Sequence, residues 1–234
     1  MGEAISDRQV VRVLRPFVRA ANPVLRAMRT PGRLEGLAGR KLPGTPAWEE
    51  LDGEARTDWW INRVGRLTSL VTAVPGIGGA LADRLPVQEA LGASAQGLLL
   101  CAIAGEHGVD DIGERVRLIA WVLFQREIAP ELAAGKDADA AEDAQTEHLT
   151  GEFTEPDKQD RRITLRACAG TLWRMGRSLL AITDELEKRP RGRFFQRAVG
   201  MLPVVGMAGD YLAERSALKR VARRSEQWLS AART

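Results

Sequence analysis

Apolar positions recur along most of this chain at steps of three and four, the spacing that gathers side chains on one face of an α-helix. Val10, Leu14, Phe17 and Val18 share such a face beside a stripe of Arg8, Arg12, Arg15 and Arg19, which predicts an amphipathic helix from about Ser6 to Ala21. The stretch from Asn22 to Pro46, with four prolines and four glycines, then reads as a linker. Trp59, Trp60, Val64, Leu67 and Val71 predict a second helix starting near Thr57, and a third spans about Pro86 to Ala104. Gly108 is the expected stop of that helix, and Asp111 with Glu114 forms an N-terminal capping pair for the next. That next helix carries Ile112, Val116, Ile119 and Leu123 at helical steps. Leu172, Met175, Leu179, Ile182 and Leu186 repeat the pattern, and a last helix turns Leu218, Val221 and Trp228 inward. Such stripes signal a core before they signal an interaction.

One stretch breaks the periodicity. Residues 73 to 86 read AVPGIGGALADRLP, and the segment VPGIGGA at 74–80 has a partner in LPVVGMA at 202–208. In both, an apolar residue is followed by Pro, any residue, Ile or Val, Gly, any residue and Ala. Each copy is expected to kink a helix start and to bring bare backbone against a neighbour. The pairs Gly78/Ala82 and Ala93/Gly97, four residues apart, permit the same close approach on a helix face. The stretch lacks the Lys-Ser/Thr of a P-loop, and GIGGALA has neither the spacing nor the leading strand of a dinucleotide fingerprint. The expectation is an apolar groove that holds lipid or another apolar ligand, lined by Pro75, Gly76, Gly78, Gly79, Pro203, Gly206 and Gly209.

Composition supports the helical reading. The 234 residues are 44% hydrophobic and 28% charged, with aromatics at 5% and a single Tyr, too few β-formers for a sheet protein. The expected fold class is all-α: a compact multi-helix bundle with Gly/Pro-kinked apolar central helices. Residues 1–45 read as a basic N-terminal amphipathic helix and linker, and 46–234 as a single helical domain with an acidic linker at about 130–160. The longest uncharged runs, Leu67 to Ala82 and Ala90 to Gly105, would make helices of about 24 Å, short of a hydrocarbon core of about 30 Å. Arginines interrupt any secretory h-region near the start, so no signal peptide is expected. Cys101 and Cys168 are too few and too far apart for a disulfide framework or a zinc set, and read as buried free thiols of a reducing cytoplasm.

Charge is segregated although the net value is only +3. Residues 1–43 carry +6 (nine basic, three acidic), 44–126 carry −4, 127–160 carry −9 and 161–234 carry +10. The acidic segment reads as a solvated loop or frayed helix that neutralises its basic flanks. The arginine stripe of the first helix is a solvated face of a docked helix or, functionally, a membrane-surface site for anionic lipid. Two basic ends also suit nucleic acid, but no aromatic-interleaved basic patch or recognition motif accompanies them, which argues against that partner.

Four stretches in order, TAVPGIGGALADRLP, ALGASAQGLLLCAIAGEHGVDD, ERVRLIAWVLF and AVGMLPVVGMAGDYLAERSALKRVARRSEQWL, carry a resemblance to the EcsC family of bacterial helical proteins. It covers about residues 57–230. His107 stands where that family often has Tyr before Gly108, Asp110 takes its acid position, and the second closing glycine is offset. The resemblance implies a cytoplasmic role at the inner face of the plasma membrane, with association to a membrane transport system, and it brings no catalytic residues.

Chemistry-bearing patterns are sparse. With two histidines, Glu106-His107-Gly108-Val109-Asp110-Asp111 is the densest polar cluster. A glycine turn followed by an aspartate cap accounts for it without a metal. No hydrolase, metalloprotease or kinase motif is present. The reading is therefore a noncatalytic, membrane-associated protein that takes lipid or another apolar ligand, with no catalytic residue, metal or cofactor. The alternative is a protein–protein adaptor or homo-oligomer without lipid. A third class, a hydrolase built on Glu106, His107 and Asp110, is set against both.

Overall fold

The structure, a computed structural model, describes residues 6–29, 42–72, 87–135, 140–151, 165–187 and 210–231. The protein is all-α, and no strand occurs among the described residues. Its elements are α1 (Asp7–Arg29), α2 (Pro46–Glu49), α3 (Gly53–Thr72), α4 (Val87–Glu106), α5 (Ile112–Phe124), α6 (Pro130–Ala134), α7 (Ala140–Thr150), α8 (Leu165–Glu187) and α9 (Asp210–Ala231). They pack as a bundle around α4, which touches α1, α3, α5, α8 and α9.

α4 is central because it has almost no polar face. From Ala93 to Ala104 every residue is buried, and a helix apolar all round is stable only when surrounded. The uncharged run of 90–105 is thus the middle of the core. Its small residues set how near the neighbours come. A β-carbon added at Gly176 of α8 would lie 2.9 Å from Ala90 Cα, so the α4 and α8 backbones meet there. Gly97, the second member of the Ala93/Gly97 pair, leaves the space that the Phe17 ring of α1 fills.

α1 starts where the pattern places it. The Gln9 amide donates to Ser6 Oγ at 3.3 Å and the Ser6 amide donates to Gln9 Oε1 at 2.7 Å, a reciprocal capping box. Its end differs from the expected Ala21: the helix continues to Arg29 through both Pro16 and Pro23. Pro23 has no N–H to offer the carbonyl four residues back, a local cost. Burial of Val24, Leu25 and Met28 prolongs the same stripe and outweighs it. The segment 22–29, expected to be linker, is therefore helix that joins the core.

The remaining starts and stops follow local chemistry. α3 begins at Gly53, before the expected Thr57, because Asp52 Oδ1 accepts from the Ala55 amide at 2.7 Å. α4 ends in a Schellman turn: Gly108 has φ +73°, its amide donates to the Gly105 carbonyl at 3.1 Å, and the Val109 amide donates to Ala104 at 2.9 Å. Asp111 caps α5 by accepting from the Glu114 amide at 2.8 Å. The acidic segment is not loop throughout, since it contributes α6 and α7. α9 runs antiparallel to α5 with two crossed contacts: the Arg117 guanidinium lies 5.7 Å from the Trp228 ring, and Arg224 lies 5.2 Å from Trp121. Leu218 and Val221 are buried, as their spacing predicts, and Trp228 is half-buried.

Candidate functional site

The four arginines expected to face a membrane divide into two pairs. Arg8 and Arg12 are exposed. Arg15 and Arg19 turn to α7. Arg15 Nε donates to Glu142 Oε2 at 2.7 Å, and its Nη1 donates to the carbonyls of Ala133 (2.8 Å) and Ala134 at the end of α6. Arg19 Nη1 meets Glu142 Oε1 at 3.2 Å and its Nη2 meets Asp143 Oδ1 at 2.6 Å. Burial by itself would lower the Arg19 pKa, but the hydrogen bonds and charges of Asp143 and Glu142 outweigh it and raise the value. Charge neutralisation between the acidic segment and α1 thus takes a specific form: two adjacent carboxylates on the first turn of α7, where the helix dipole also favours negative charge.

The far end of α7 is fastened differently. Thr171 Oγ1 donates to the Thr150 carbonyl at 2.8 Å, and Arg174 Nε donates to the Leu149 carbonyl at 3.2 Å, so α8 satisfies the last carbonyls of α7. Leu149 and Thr150 are the buried residues of this helix.

In the turn from Glu106 to Asp111 the polar side chains engage separate partners. Glu106 accepts from the indole N–H groups of Trp60 (3.0 Å) and Trp48 (3.3 Å). Asp110 pairs with Arg115 Nη2 at 2.9 Å, and Asp111 caps α5. His107 Nε2 instead lies 3.1 Å from Glu226 on α9. Glu106, His107 and Asp110 are thus each drawn to partners on different helices. Among the described residues no group of three His, Cys, Asp or Glu side chains is placed to hold a metal ion.

His107 and Glu226 help to line an open cleft of about 360 Å³ between the start of α3 and α9. Its walls are charged: Glu54 and Asp58 on α3 face Lys219 and Arg223 on α9, with Asp58 and Lys219 3.8 Å apart. Ile61 and Ala222 add apolar surface between these charges. The residues expected to line the apolar groove, Pro75, Gly76, Gly78, Gly79, Pro203, Gly206 and Gly209, lie outside the described residues, as does the pair Gly78/Ala82.

Two features escape the sequence reading. One is a cluster of Trp48, Trp59 and Trp60, edge to face at 5.1 and 4.9 Å, with Arg56, Arg63 and Arg29 lying over their rings. The adjacent Trp59-Trp60 pair was its visible sign, since two neighbouring helix positions cannot both point at one core. The other is Arg115, buried to 8% side-chain exposure, which donates to the Val109 carbonyl (2.8 Å) and Asn22 Oδ1 (2.9 Å) and so ties α1 to the α4–α5 turn.

Among the described residues no helix is long and apolar enough to cross a membrane. Comparison with models of known families, with curated proteins and with solved structures finds no match to this chain.

Proposed function

We propose that this chain is a noncatalytic, membrane-associated helical protein of EcsC type, which meets an anionic lipid surface and takes lipid or another apolar ligand at its Gly/Pro segments. The observation that carries the surface half is the pair Arg8 and Arg12, exposed on a helix whose apolar face is fully used in the core. Such a helix contributes charge to a membrane without having to leave the protein. The occupied carboxylates of the 106–111 turn favour binding over catalysis. The apolar-ligand half, the association with a transport system and a place at the inner face of the plasma membrane rest on the sequence motif and the EcsC resemblance.

Sedimentation with phosphatidylglycerol vesicles, against phosphatidylcholine vesicles, tests the surface half; a chain left wholly in the supernatant of both at low salt rejects it. Organic extraction of the purified protein followed by lipid mass spectrometry tests the ligand half, where an empty extract is the negative result.

A second reading, an adaptor or homo-oligomer, draws support from half-buried Trp121 and Trp228 beneath Arg224 and Arg117, since Trp and Arg dominate the energetic centres of protein interfaces. Light scattering after size exclusion distinguishes it: a stable dimer supports it and a monomer at all concentrations opposes it.

A further inference from the structure

We infer that the arginine stripe of α1 is an anion-binding surface half covered by α7, and that an anionic lipid surface competes with Glu142 and Asp143 for Arg19. This rests on the membrane reading above and adds a regulatory contact to it.

Arg8, Arg12, Arg15 and Arg19 stand at steps of four, three and four, so they share one side of the helix. α7 lies across the second half of that stripe and leaves the first half open. Its carboxylates occupy the position that phosphate oxygens would take, and so disclose the chemistry the surface accepts.

The two ends of α7 are held by unlike forces. At the C-terminal end, Leu149 is buried and the last carbonyls are bound by Thr171 and Arg174. At the N-terminal end the attachment is ionic. Arg19 is 29% exposed and Asp143 is 53% exposed, so this pair is solvated, of small net strength and screened by salt. Arg15 behaves differently: at 12% exposure it also binds the Ala133 and Ala134 carbonyls, and it stays with α6. Arg19 is thus the exchangeable member. A membrane presents many phosphates at once, so it engages Arg8, Arg12 and Arg19 together, whereas α7 offers its two carboxylates to Arg15 and Arg19. On the lipid surface the first turn of α7 lifts while its last turn remains on α8.

The test uses the full chain with phosphatidylglycerol vesicles, reading both partition and amide exchange. Neutralising α7 with the double substitution E142Q/D143N frees one more arginine and is expected to raise partition about fivefold. In the wild-type chain, phosphatidylglycerol vesicles are expected to speed exchange of amides 144–146 and to leave 148–150 protected, and phosphatidylcholine vesicles to change neither. Should the double variant not fold, D143N alone, at a half-exposed position, is expected to give a smaller gain in the same direction, because Arg19 keeps its contact with Glu142. Equal partition of wild type and variant, with 144–146 equally protected on lipid, overturns the covering role while the membrane reading stands. If neither protein sediments, the membrane reading itself falls and takes this inference with it.

Discussion

The ring of Phe17 in α1 occupies the space that a side chain at Gly97 of α4 would need: a β-carbon built there falls 2.7 Å from Phe17 Cε1 and 3.2 Å from Leu179 Cδ1. This contact makes the basic N-terminal helix part of the core. Gly97→Ala is expected to cost about 1–3 kcal/mol of unfolding free energy, because the ring must shift. Gly176→Ala should cost more than Gly97→Ala, since backbone atoms of Ala90, unlike a ring, cannot rotate aside. Urea denaturation of both variants checks the order, and equal stabilities would contradict the packing described.

Arg115 donates to two acceptors, the Val109 carbonyl and Asn22 Oδ1. Arg115→Ala removes the donor from both half-buried acceptors, at a cost of at most about 1–3 kcal/mol each. Asp110 is 86% exposed, so water replaces its share of the contact and Asp110→Asn should leave stability within about 0.5 kcal/mol of wild type. Comparing the two variants in one denaturation series separates the buried role from the surface one.

Glu106 gathers two tryptophans with one carboxylate. Glu106→Ala leaves the buried Trp60 indole N–H without its acceptor, a loss of about 1–3 kcal/mol. Glu106→Gln keeps one acceptor oxygen and should fall between alanine and wild type. Tryptophan emission and thermal unfolding provide the readout. A Glu106→Ala protein as stable as wild type would show the contact to be idle.

Burial pushes the Cys101 thiol up to about 12 from an ordinary 9.0. In the folded chain the thiol keeps its proton where the unfolded chain loses it. The associated stability is therefore fully present below pH 9.0 and declines as pH rises from there toward about 12. Cys101→Ala should flatten that alkaline decline, measured as unfolding free energy against pH from 8 upward. An unchanged slope would place the effect on other groups.

How far the sequence foretold the molecule depends on the kind of signal. Caps and stops are local, so Ser6, Asp111 and Gly108 identify their helix ends from a few residues alone. The apolar stripe of α8 and the inward residues Leu218 and Val221 needed only a period. Where a local signal and a tertiary one compete, local reading fails: Asn22-Pro23 suggests a break, yet Val24, Leu25 and Met28 carry the stripe on, and burial decides. Charge segregation predicted that the acidic segment neutralises basic partners. It did not name Glu142 and Asp143, because that pairing spans more than 120 residues and depends on how α7 lies on α1. The scattering of Glu106, His107 and Asp110 to separate partners was equally out of reach, since each partner sits on a different helix.

If the exposed end of α1 meets an anionic membrane through charge, the double variant R8Q/R12Q should weaken that contact. Both side chains are exposed, so the fold should be kept. Partition to phosphatidylglycerol vesicles at low salt is expected to fall roughly 30-fold, about a kilocalorie per mole for each arginine removed. Partition equal to that of the wild type, at any salt concentration where the wild type binds, would contradict the account.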